Sequence, residues 1–64
     1  MELLDTDAAS RYLSVSPATL AYWRSRGAGP AWFKLGRRVM YRPAALDQFV
    51  ESQEQATQLA RAAQ

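Results

Sequence analysis

Sixty-four residues are enough for one domain and little more, because a chain this short buries only about 60% of the surface that its unfolded form exposes. With neither cysteine nor histidine, disulfides, thiolate zinc sites and the usual triad and proton-shuttle chemistries lose their participants, so neither a metal nor a cofactor is expected. The net charge is +2 and no apolar run approaches the ~20 residues of a membrane span; Met-Glu-Leu-Leu-Asp is too acidic for a signal peptide, and a soluble intracellular protein is expected.

In chain order, Leu3-Leu4 precede Thr6, which reads as a helix N-cap, with Asp7 where the helix dipole favours an acid. A first helix, 7–13, places Ala9, Tyr12 and Leu13 on one side. Ser14-Val15 is a tight connection, with Val15 an apolar plug under the turn. Ser16 is then a good N-cap, Pro17 suits the first helical position, and Gly27 can take the left-handed conformation that closes a helix. Within this second helix, Leu20 and Trp23 share an apolar face while Ala18, Thr19 and Tyr22 share another. Two short helices joined by about three residues make a helix-turn-helix, although many helical hairpins with that pattern bind no nucleic acid.

Ala28-Gly29-Pro30 turns the chain. Residues 31–35 alternate as a strand, with Phe33 and Leu35 on one face and Trp32 and Lys34 on the other. Gly36-Arg37 reverses direction, and residues 38–42 read as the return strand, Val39 and Tyr41 alternating against Arg38, Met40 and Arg42. An isolated hairpin is marginal in water, so this one must pack on the helices. Its charged tip makes it a wing. Pro43 starts a third helix whose stripe of Leu46, Phe49 and Val50 is expected in the core against Leu13, Leu20 and Trp23. From Ser52 the composition shifts to Gln and Ala, with Ala56, Leu59, Ala60 and Ala63 at helical spacing. The chain thus divides into a domain over 1–52 and a tail over 53–64 that either extends the third helix, frays or orders on a partner.

All six acids lie towards the ends, at Glu2, Asp5, Asp7, Asp47, Glu51 and Glu54. Residues 8–46 hold seven bases (Arg11, Arg24, Arg26, Lys34, Arg37, Arg38 and Arg42) and no acid. Such a stretch implies a polyanionic partner, double-stranded DNA first and an anionic membrane surface second. An enzyme reading lacks a nucleophile–base pair and metal ligands; Asp47 and Glu51, four apart, are most simply a solvated face.

The run Leu3-Leu4, Tyr12-Leu13-Ser14-Val15-Ser16-Pro17, Thr19-Leu20, Tyr22-Trp23-Arg24, Gly27-x-Gly29-Pro30, Lys34-Leu35-Gly36-Arg37-Arg38-Val39-x-Tyr41-Arg42 and Leu46-Asp47-x-Phe49 resembles the small winged helix-turn-helix proteins of the excisionase group. These are related to the DNA-binding domain of MerR-type regulators. The likeness covers residues 3 to about 51. Phe49 stands where members often carry Trp, Ser14 where many carry Gly, and Pro43 replaces a commonly polar residue. The fold it implies is mainly α with a small β-hairpin: helix-turn-helix, two-stranded wing and third helix. The function it implies is either recombination directionality, in which attachment-site DNA is bent and an integrase is steered towards excision, or transcriptional control of phage and mobile-element genes. It also implies cooperative assembly of several copies along DNA, and residence in the bacterial cytoplasm or nucleoid.

The candidate DNA-binding residues are Ser16, Pro17, Ala18, Thr19, Tyr22, Arg24 and Arg26 on the recognition helix, and Lys34, Gly36, Arg37, Arg38, Tyr41 and Arg42 on the wing. Thr19 can bond a base edge or place its methyl against that of thymine, and Tyr22 can reach a base or phosphate; otherwise both merely cover surface. Arg24 and Arg26 either contact phosphate or stabilise the helix C-terminus. Ser16 caps the helix and offers its exposed amides to phosphate. Lys34, Arg37, Arg38 and Arg42 point at the backbone, with Arg37 a candidate for the minor groove, where arginine reads groove width. Trp23 is read as core rather than a stacking platform, and Trp32 as a support for a neighbouring subunit. A different class of function, a protein-interaction module such as an anti-activator using the third helix and tail, would be separated by salt-sensitive DNA retardation.

Overall fold

The computed structural model describes the backbone of residues 2–62 and the side chains of residues 2–58. A two-residue strand β1 (Leu4–Asp5) leads directly into helix α1 (Thr6–Leu13). The cap is Asp5, not Thr6: Asp5 is extended and its Oδ1 accepts the Ala8 N–H at 2.8 Å. Aspartate is the stronger N-cap, so the helix takes Thr6 as its first residue. At the other end Ser14 adopts φ 59°, ψ 38°, and the N–H groups of Ser14 and Val15 bond back to the Arg11 and Ser10 carbonyls at 3.3 and 3.0 Å. This closure satisfies the orphan carbonyls and drops Val15 against the core, as its position predicts.

Helix α2 (Pro17–Ser25) begins as its sequence dictates. Ser16 Oγ accepts the Thr19 N–H at 3.1 Å and Pro17 occupies the first turn. It ends in the same kind of closure, with the Gly27 and Ala28 N–H groups reaching the Arg24 and Trp23 carbonyls at 3.2 and 2.8 Å and Gly27 at φ +68°. Gly29 then folds the loop onto Trp23. A Cβ there would lie 2.8 Å from Trp23 Cβ and 2.9 Å from its Cε3, at a backbone φ of +81°.

Strands β2 (Phe33–Leu35) and β3 (Arg38–Tyr41) form the hairpin, each shorter at its outer end than alternation predicts. The tip places Gly36 at φ +65° and Arg37 at a negative φ, the arrangement of a two-residue turn with glycine first. The sheet is three-stranded and antiparallel in the order β1-β3-β2, where only two strands are expected from sequence. Leu4 pairs with Tyr41, Asp5 and Phe33 with Met40, Lys34 with Val39, and Leu35 with Arg38. Alternation therefore puts Leu4, Lys34, Val39 and Tyr41 on one face, Lys34 being exposed on the edge strand while the other three turn inward, and Asp5, Phe33, Leu35, Arg38 and Met40 on the outer one.

Helix α3 (Pro43–Ala62) runs unbroken through residue 52 into the Gln/Ala-rich stretch; Ala63 lies outside the described residues. Ala9, Leu20, Tyr41 and Leu46 are wholly buried, with Leu4, Leu13, Val15, Trp23 and Val39 packed around them. Trp23 and Phe49 meet at 5.1 Å between ring centroids, inclined at 56°. Val50 is not core: it is 42% exposed. By that point α3 is leaving the bundle, and residues 51–58 are all exposed. Val50 instead lines an open groove of about 430 Å³ with Leu13, Val15, Trp23 and Phe49 on its floor. The architecture is a mainly helical winged helix-turn-helix whose wing is anchored by a third strand.

Candidate nucleic-acid interface

The front of α2 is exposed at Ser16, Pro17 and Ala18, and half-buried at Thr19. Ser16 and Thr19 are tied to one another: besides the cap, their hydroxyls lie 2.9 Å apart in a hydrogen bond. Tyr22 is exposed, and the Arg26 guanidinium sits 5.6 Å from its ring centroid. These two side chains form a stacked, solvent-facing pair further along the helix.

Arg24 is placed differently. Its Nη1 donates to the Tyr41 hydroxyl at 2.7 Å, and its guanidinium carbon lies 6.0 Å from the Trp32 ring centroid. It joins α2 to the sheet in a half-buried position. Tyr41, grouped by sequence with the wing contacts, is wholly buried. The same alternation that makes Arg38 and Met40 outward makes Val39 and Tyr41 inward, so Tyr41 reaches the surface only through its bond to Arg24.

On the hairpin, Lys34, Gly36 and Arg37 are exposed, and among the described residues Lys34 and Arg37 make no hydrogen bond or ion pair. Arg42 lies 5.8 Å from the Phe33 ring centroid. Arg38 donates from Nη2 to Asp5 Oδ2 at 2.9 Å. Asp5 is the residue that sequence reasoning missed: Thr6 reads equally as the cap, and the bond to Arg38 depends on β1 pairing with β3, where two residues carry no periodic signal. Away from this surface, the Tyr12 hydroxyl donates to Asp47 Oδ1 at 2.6 Å, so Asp47 is more than solvated surface. That bond, with lesser help from desolvation and the carboxylate's charge, pushes the Tyr12 phenol above its usual value. Among the described residues no group of acidic, cysteine or histidine side chains is arranged to hold a metal, and no helix is long and apolar enough to cross a membrane.

Two short capped helices with an αL residue between them are thus followed by a basic hairpin. The sequence model of the helix-turn-helix domain matches residues 3–54. The chain belongs to the helix-turn-helix domain family. No curated protein and no solved structure matches it significantly. The family is one of DNA-binding domains, which supports sequence-specific DNA binding. In a helix-turn-helix domain the second helix enters the major groove N-terminus first while the first helix crosses the backbone. Here that second helix is α2, and its leading end is held rigid by the Ser16–Thr19 bonds. Free backbone N–H groups at such an end suit a phosphate, and short hydroxyl side chains suit base edges.

Proposed function

We propose that the protein binds double-stranded DNA sequence-specifically as an excisionase-type recombination directionality factor of the bacterial cytoplasm or nucleoid, bending attachment-site DNA and steering an integrase. The observation that carries the reading is the pairing of an exposed, capped α2 front with a hairpin whose tip holds Gly36, Arg37 and Arg38. The Leu35-Gly36-Arg37-Arg38 run beside the helix-turn-helix is what favours the excisionase group and its MerR-type relatives. In this reading Ser16, Pro17, Ala18, Thr19, Tyr22 and Arg26 face the major groove, while Lys34, Arg37, Arg38 and Arg42 face phosphates or the minor groove. Arg24 and Tyr41 brace α2 against the sheet. The alternative within the class is a small transcriptional regulator of phage or mobile-element genes.

A second reading, a protein-interaction module, is favoured by the open groove between the α1–α2 turn and α3. Gel retardation across a salt series decides between the classes, and footprinting decides within the first. Salt-sensitive retardation with several phased protected sites is expected, and supports cooperative assembly along DNA. One inverted repeat would favour a repressor. No salt-sensitive retardation would overturn the DNA reading.

A further inference from the structure

Asp5 divides its carboxylate between two tasks. Oδ1 caps α1 through the Ala8 N–H at 2.8 Å, and Oδ2 holds the Arg38 guanidinium at 2.9 Å. The register explains the meeting. Asp5 lies opposite Met40, and Arg38 is two residues along β3 on the same outer face, so the two are diagonal cross-strand neighbours. The cap already holds the carboxylate, so the arginine bears most of the ordering of the pair. Arg38 is 70% exposed in its side chain and reachable by a phosphate, whereas its neighbour Arg37 has no partner among the described residues.

Resting on the DNA-binding reading above, we propose that Asp5 is a latch that withholds Arg38 from the DNA backbone and so lowers affinity for unrelated sequence. The reason is ionic bookkeeping. A phosphate taken up by a free arginine releases its condensed counterion, adding about 0.9 to the slope of log K against log salt. A phosphate taken up by Arg38 must first displace the Asp5 carboxylate, which then gathers a screening cation of its own. The exchange is nearly neutral in ions and yields little affinity. Arg37, exposed at the turn and unlatched among the described residues, carries the full electrostatic term. An exposed ion pair of this kind shifts an equilibrium by about 1.5- to 5-fold. That is enough to discourage weak, sequence-blind binding without blocking a site that offers other contacts.

The test is Asp5→Asn, measured on a random-sequence duplex over a salt series. Asparagine caps a helix as well as aspartate does, so Oδ1 still accepts the Ala8 N–H while an amide, itself a donor, faces Arg38. Affinity for random sequence should rise about 1.5- to 5-fold, and the slope should steepen by up to about 0.9. The gain should vanish when Arg38→Ala is added. In the parent background Arg38→Ala should cost less affinity and less slope than Arg37→Ala, a readout that does not depend on the cap. Unchanged or weakened binding by Asp5→Asn would overturn the latch, as would a gain that persists without Arg38, which would reflect only a removed negative charge. Parental binding that shows no salt dependence would instead bring down the DNA-binding reading together with the latch.

Discussion

The leading end of α2 and the tip of the wing belong to one candidate surface but are built on opposite principles. From Ser16 to Thr19 there is no charge at all, and the polar groups are bonded to one another through a cap and a hydroxyl pair. From Lys34 to Arg38 there are three cations in five residues, and among the described residues only Arg38 has a side-chain partner, the Asp5 carboxylate. The first region is preorganised and neutral, so it can discriminate shape and base edges while releasing few counterions. The second is loosely held and charged, suited to attraction and register along a backbone that carries no sequence information. A small domain thereby separates the two components of DNA recognition onto different elements.

The largest effect is expected in the scaffold beneath α2. Gly29→Ala drives a Cβ into Trp23 at 2.8 Å and keeps a positive φ, so it should cost about 2–4 kcal/mol of stability, read by thermal unfolding. An unchanged melting temperature would mean that the loop does not hold Trp23. Next is the wing itself. Arg37→Ala with Arg38→Ala should alter folding by only about 0.5 kcal/mol, since both are exposed. DNA binding should weaken by roughly 2–3 kcal/mol, the scale of hydrogen bonds to charged groups. The loss should be larger on sites with A·T-rich flanks, whose narrow minor groove attracts arginine. Equal affinity of variant and parent on both flank types would reduce the interface to the helices alone.

The complementary change, Thr19→Ala, should relax preference at one or two base pairs by about 1–3 kcal/mol and leave the salt slope unaltered. Selection from a randomised site that returns the parental motif would show that α2 does not read sequence at Thr19. The smallest effect lies outside the interface. The Tyr12 phenol is raised above its unfolded value by its bond to Asp47. A group raised on folding contributes stability that is complete below its unfolded value and disappears as pH climbs through the folded one. The contribution should therefore hold at neutral pH and fade above about pH 10, the usual tyrosine value. Tyr12→Phe should flatten that alkaline decline, which pH-dependent melting would record; an unaltered decline would deny the bond a role.

What was legible in the sequence was local. Ser16, Pro17 and Gly27 mark α2 because caps, prolines and left-handed residues act within a few positions, and Gly36 marks the hairpin for the same reason. What was not legible needed a partner distant in the chain. Leu4 and Asp5 become a strand only because β3 offers an edge, and Asp5 gains its arginine only through that pairing. Alternation put Tyr41 with Val39 but could not say that theirs was the inward face, so Tyr41 was grouped with the wing. Val50 continues the apolar stripe of α3 past the point where the bundle ends. Arg24 shows the same limit, since its bond to the Tyr41 hydroxyl joins residues distant in the chain.

If charge on the wing, rather than on the leading end of α2, supplies the electrostatic part of DNA binding, a salt titration of Lys34→Ala beside the parent should reveal it. Lys34 is exposed and, among the described residues, unpaired. The slope of log K against log salt should be shallower by about 0.9, with weakening that is uniform across sequences. A slope identical to the parent's would place Lys34 off the DNA and contradict the division of labour between the two elements.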